Sequence, residues 1–285
     1  MGQVYFSRRH FMKTTGAFSA AAALGISACD QQPAIEGIPI GLQLYSVRKE
    51  AENDLPGVLR QVAQMGYQGV EFAGYYGYQS IEIRKFLDDN GLKCCGSHLS
   101  LDRVTGAALE PTAEYCLTIG CQNMIVPWIP EEHRQTIDDW KKLADTFNNI
   151  AQVIKQFDLQ IGYHNHKNEF QEMEGQIPWY VFADNTSENV ILQLDTGNGM
   201  AGGANVMEAL KKYPGRAITI HCKGYSASDE NAILGEGDIP WKEVIEFCNT
   251  RGGTEWFIIE EENKDTPPMQ TVEQAFNNFL KLKNS

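Results

Sequence analysis

From Gly37 onward one pattern recurs about eight times: a short apolar run, a polar turn, then an amphipathic stretch of helical period. The apolar runs are IPIGLQLY (38–45), GVEFAG (69–74), LKCCGSHLS (92–100), NMIVPW (123–128), LQIGYHNH (159–166), VILQLDTGN (190–198), AITIHCKG (217–224) and EWFIIEEEN (255–263). Between them lie helical patterns such as LPGVLRQVAQMG, which stops at Gly66, and SIEIRKFLDDNG, with Ser80 as the expected N-cap and Gly91 just past its end. Alternating strands and helices imply a parallel sheet with right-handed crossovers. An open doubly wound sheet is expected to carry a glycine-rich nucleotide turn after its first strand, and here LQLYSVRKE follows instead. The expectation is an α/β fold, a single (β/α)8 TIM barrel across 38–285, and 285 residues with 42% hydrophobic content suffice for its core.

The first residues stand apart from that pattern. Arg8 and Arg9 precede the apolar, alanine-rich AFSAAAALGISA, a layout that resembles a twin-arginine export signal and is short for a bilayer span. ISAC, ending in Cys29, resembles a lipoprotein box. The reading is a signal peptide at 1–28, lipidation of Cys29 and a tether at 29–37, with the protein exported to the periplasm and held at the membrane only by its lipid anchor. Cleavage there removes Arg8, Arg9 and Lys13 and no acid, so a chain of net charge −13 becomes more negative still. That balance excludes a nucleic-acid partner, which needs a basic face, and leaves a small molecule as the expected partner. The other six cysteines form no C-x-x-C pair, which argues against a structural zinc knuckle.

In a barrel of this kind the active site lies at the C-terminal ends of the strands. Four of the five histidines beyond the leader fall there: His98, His164, His166 and His221, with only His133 elsewhere. Residues two apart on a strand share a face, so His164 and His166 point into the barrel together, while Ile161 and Tyr163 suit the helix layer. The same alternation turns Asp195 inward, sets His221 with Lys223, and sets Glu260 with Glu262 against Glu261. A lone strand-end histidine is more often a hydrogen-bonded structural residue. His164, Asp195, His221 and Glu260 from four successive strands make a mixed nitrogen and oxygen set that suits Mn²⁺, Zn²⁺, Co²⁺ or Fe²⁺ better than Ca²⁺.

The segments GLQLYSVR, GYQGVEFAG, HNHKNEF, LDTGN, IHCKGY, GEGDIPW and WFIIEEE together resemble the sugar phosphate isomerase/epimerase family, which has a xylose isomerase-like TIM barrel. The resemblance runs from about Gly41 to the C-terminus. It implies a divalent metal, Mn²⁺ first, at His164, Asp195, His221 and Glu260, and proton abstraction α to a carbonyl of a keto-sugar or polyol held on that metal. Its keto-sugar 3-epimerases use Glu, Asp, His and Glu there, so His164 stands where they keep a catalytic glutamate. Two-faced epimerisation is thereby put in question, and isomerisation, sugar dehydration or β-elimination from keto-sugars or 3-keto-glycosides remains, as does a sugar-binding lipoprotein without catalysis. Glu260 is the expected base, if its second oxygen is free, with His166 and Lys223 as candidates to move a second proton or polarise the leaving oxygen. Glu169 and Asn198 match substrate-binding positions of the family. Glu71 and His98 are expected to bind sugar hydroxyls, and Trp128 and Tyr45 to stack on a sugar ring.

Overall fold

The computed structural model describes residues 37–285. The expected signal peptide, Cys29 and all of the tether before Gly37 lie outside them. The described chain has eight strands: β1 (Ile40–Gln43), β2 (Gly69–Phe72), β3 (Lys93–His98), β4 (Asn123–Val126), β5 (Gln160–His164), β6 (Val190–Gln193), β7 (Thr219–Cys222) and β8 (Trp256–Ile259). All are parallel, in the order β6-β5-β4-β3-β2-β1-β8-β7. The ring closes between β6 and β7, where the His221 N–H donates to the Leu194 carbonyl at 2.9 Å and Asp195 bridges to His221. The TIM barrel read from the sequence is the fold observed.

The helices are α1 (Arg48–Met65), α2 (Ser80–Asn90), α3 (Leu109–Ile119), α4 (Ile137–Ile154), α5 (Pro178–Asn185), α6 (Thr196–Ala201), α7 (Val206–Lys212), α8 (Trp241–Thr250) and α9 (Pro268–Lys283). None among the described residues is long and apolar enough to cross a membrane. They cover the barrel with apolar faces. Tyr163, pointing outward from β5, packs among Trp140, Phe147, Trp179 and Phe182, all buried. Each such ring buries about 150–250 Å², worth several kcal/mol at about 25 cal/mol per Å².

Three local expectations need correction. The first helix begins at Arg48 rather than Leu55, with a break at Asp54 (φ −152°, ψ 75°), whose Oδ1 accepts from the Gly57 N–H and so caps the second half. Gln79, not Ser80, is the N-cap of α2, in a capping box with Glu82. The sixth strand stops at Gln193, because Asp195 caps the short α6 by accepting from the Asn198 N–H at 2.7 Å. That cap fixes one carboxylate oxygen and leaves the other for the barrel interior.

Candidate metal centre

His164 ends β5, Asp195 follows β6, His221 lies within β7 and Glu260 follows β8, so four neighbouring strands deliver four side chains to one spot. Each has a ligand atom within 4.8 Å of those of the other three. His221 Nδ1 is 3.0 Å from Glu260 Oε2 and 3.9 Å from Asp195 Oδ2, and His164 Nε2 is 4.0 Å from the same Asp195 oxygen. Donors that share one ion at roughly 2.0–2.2 Å stand about 3–4 Å apart, which these separations match. Asp195 Oδ2 is fully buried and has no hydrogen-bond partner. An orphaned buried carboxylate oxygen is costly unless a cation meets it. Burial pushes the Asp195 carboxyl up to about 6, with Lys223 pulling the other way. The residues fit a divalent ion.

Buried partners fix the two imidazoles. His164 Nδ1 meets Gln193 Oε1 at 3.1 Å, which leaves Nε2 facing Asp195. His221 Nε2 donates to Glu71 Oε2 at 2.6 Å, which leaves Nδ1 facing Asp195 and Glu260. Such a carboxylate behind a ligating histidine sets its tautomer and basicity. Burial depresses the His164 pKa, helped by His221 and His98, and keeps it neutral. Burial would also lower His221, but Glu71 and Glu260 outweigh it and raise its pKa to about 10. In the metal-free centre, then, a proton sits on His221 between two carboxylates.

Glu71 was expected to bind substrate hydroxyls, but it is fully buried and does not reach the cavity. Its oxygens are taken by Gln43, Gln193, His98 and His221. Gly96 makes the room: a Cβ there would strike Glu71 Oε1. Glu169 is likewise buried beneath the wall, where it accepts from the Tyr163 hydroxyl and the His166 N–H, each at 2.8 Å. It anchors the turn that carries His166. The condition on Glu260 also fails, because its Oε1 accepts from Lys223 Nζ at 3.0 Å. Burial opposes ionisation of Glu260, yet Lys223 and His221 hold its pKa well below the usual carboxylate range. Lys223 is raised in turn: burial would lower it, and Glu260 and Asp195 outweigh burial.

Above the centre opens a cavity of about 1090 Å³. Tyr45, His98, Trp128, His164, His166, Asn198, Lys223 and Glu260 line it, whereas Asp195 and His221 lie beneath its floor. His166 Nδ1 is buried without a partner, and burial lowers the pKa of this ring against the pull of Glu169 and Glu260. His133, set aside in the sequence because no strand ends there, also lines the cavity from the turn after β4. Gln193, two residues before Asp195 in the sixth strand, was not singled out in the sequence. Its amide bridges His98, His164, Glu71 and Thr219, and a polar residue at an inward, late strand position was the available signal.

Comparison with known proteins agrees with this fold. A family described as "Xylose isomerase-like TIM barrel" matches residues 59–282, and a twin-arginine translocation signal matches residues 6–25, which indicates export across the membrane. The inosose dehydratase of Bacillus licheniformis is 24% identical over 74% of this chain and 82% of its own. A solved sugar phosphate isomerase/epimerase from Parabacteroides distasonis is 26% identical, covers 88% of this chain and 97% of its own, and superposes with a TM-score of 0.73. An L-ribulose 3-epimerase shares the fold, with a TM-score of 0.65 at 17% identity over 87% of this chain and 95% of its own.

Proposed function

The chain belongs to the xylose isomerase-like TIM barrel family and is an enzyme of the sugar isomerase, epimerase or dehydratase kind; on that premise we propose that it eliminates water or another leaving group from a keto-sugar. The observation that carries the reading is the convergence of His164, Asp195, His221 and Glu260 around the unpartnered Asp195 Oδ2. These four would hold one divalent ion, Mn²⁺ first among Mn²⁺, Zn²⁺, Co²⁺ and Fe²⁺ for a mixed histidine and carboxylate set. When bound, that ion supplies Lewis acidity, which makes the C–H beside a carbonyl more acidic.

The rest falls to the chain's own side chains. His166 is the base: it lines the cavity, its depressed pKa keeps it neutral at pH 7, and it accepts the proton from the carbon beside the carbonyl. The electron pair left there expels the oxygen on the next carbon, which takes the proton back from the His166 imidazolium and leaves as water or an alcohol, so that His166 ends neutral again. Lys223 remains an ammonium and orients or polarises the departing oxygen from the cavity wall. Glu260 is a ligand and the partner of Lys223 rather than a base. Elimination is favoured over two-faced epimerisation because His164 has both nitrogens committed, one toward Gln193 and one toward Asp195. No free carboxylate then serves that side of the substrate. His98 and Asn198, at the wall, are the proposed contacts to sugar hydroxyls.

The test is incubation of Mn²⁺-loaded protein with keto-sugars in D₂O. Deuterium at the α-carbon of recovered keto-sugar together with an unsaturated product is the expected result. Binding with no exchange at all would reduce the protein to a sugar-binding one. The twin-arginine match supports the further proposals that residues 1–28 are removed, that Cys29 carries lipid and residues 29–37 form the tether, and that the barrel, 38–285, works in the periplasm.

A further inference from the structure

Pockets that bury a drug-sized ligand run to about 300–1,000 Å³, and the 1090 Å³ here is several times what one sugar ring fills. The room is unevenly furnished. The four candidate ligands come from the half of the barrel formed by β5 to β8. The wall after β1 to β4 offers none of those four ligands, and it bears two exposed aromatic rings, Tyr45 at 44% and Trp128 at 47% accessibility.

Both rings are braced. The Arg48 guanidinium lies 4.0 Å over Tyr45 and is held by the Tyr45 carbonyl at 2.7 Å and by Glu262 at 2.9 Å. The Arg134 guanidinium lies 4.3 Å over Trp128 and is held by the Ile129 carbonyl at 2.8 Å. A cation over one face fixes a ring that would otherwise swing to shed its exposed apolar surface. Trp128 also meets His166 edge-on, with centroids 5.8 Å apart, so this platform adjoins the proposed base.

We propose that the substrate is a two-ring glycoside: the keto ring sits above the candidate metal centre, and a second sugar ring stacks on Trp128, with Tyr45 closing the far side. This rests on the function proposed above. The C–H face of a pyranose is apolar and gains by covering an exposed aromatic face. A single keto-sugar at the metal would leave both braced rings in water.

Affinities of the Mn²⁺-loaded protein for fructose, turanose, maltulose and isomaltulose test this, since the last three add a glucosyl ring at different positions of the same keto-sugar. At least one should bind about tenfold tighter than fructose, the scale of one well-stacked ring. Trp128→Ala should abolish that preference, and Arg134→Gln should reduce it in part by unbracing the ring. The proposal is overturned if no disaccharide binds tighter than fructose, or if the preference survives both Trp128→Ala and Tyr45→Ala. Deuterium exchange on the same samples separates the two readings. Ring preference without exchange sinks the elimination reading alone, and exchange without preference sinks the glycoside alone.

Discussion

Lys223 Nζ lies 3.0 Å from Glu260 Oε1, while Oε2 of the same carboxylate meets His221 Nδ1 at 3.0 Å. A carboxylate engaged at both oxygens by cationic or ligand-bearing neighbours is a poor proton acceptor. Lys223→Met should therefore lower kcat about 10²-fold by removing a fixed positive charge from the cavity wall. Metal content should hold or rise, because a competing cation has gone. Unchanged kcat in this variant would show that Lys223 only neutralises Glu260.

With His166 as the proposed base, His166→Ala should cost about 10²–10⁴-fold in kcat with bound metal unchanged. Its pKa lies below the usual 6.5, and only the neutral ring can accept a proton. The acid limb of kcat/KM should thus fall below pH 6.5, with a flat profile through neutrality. A limb centred at or above pH 7 would contradict this assignment.

His221 holds a proton with a pKa of about 10 in the metal-free centre, and a ligating imidazole nitrogen must give it up. Binding of Mn²⁺ near pH 7.5 should release about one proton per ion, read as a dependence of the calorimetric enthalpy on buffer ionisation heat. Affinity should weaken as pH falls. Metal binding that is independent of buffer and pH would mean His221 is not a ligand.

Glu71 supports that candidate ligand from behind. Glu71→Gln keeps an acceptor but loses the charge that strengthens His221, and should weaken metal binding about 10–100-fold while the fold persists. Gly96→Ala should give a related defect, since its Cβ collides with the Glu71 carboxylate. Metal titration followed by thermal unfolding separates the two effects.

Much of this was legible in the chain, and for definite reasons. Strand alternation is a strict period of two, so the inward set His164, His166, Lys223 and Glu262 and the outward Tyr163 and Glu261 follow from position alone. What alternation cannot report is depth. Glu71 and Trp128 both stand near strand ends, yet Glu71 lies under the floor because Gly96 on the next strand leaves space for it, while Trp128 lies at the mouth. Loop contributions were also hidden: His133 reaches the cavity from a turn whose path no periodic pattern fixes. Pairings across the barrel, such as Gln193 with Glu71 at 122 residues' separation, depend on closure of the ring.

The most direct measurement is the metal content of purified protein and of Asp195→Asn, taken after equilibration with Mn²⁺ and removal of excess ion. About one ion per chain in the native protein, lost in Asp195→Asn while both remain folded, is the predicted result. A native protein that retains no divalent ion under any loading condition, or a variant that retains as much as the native one, would contradict the account.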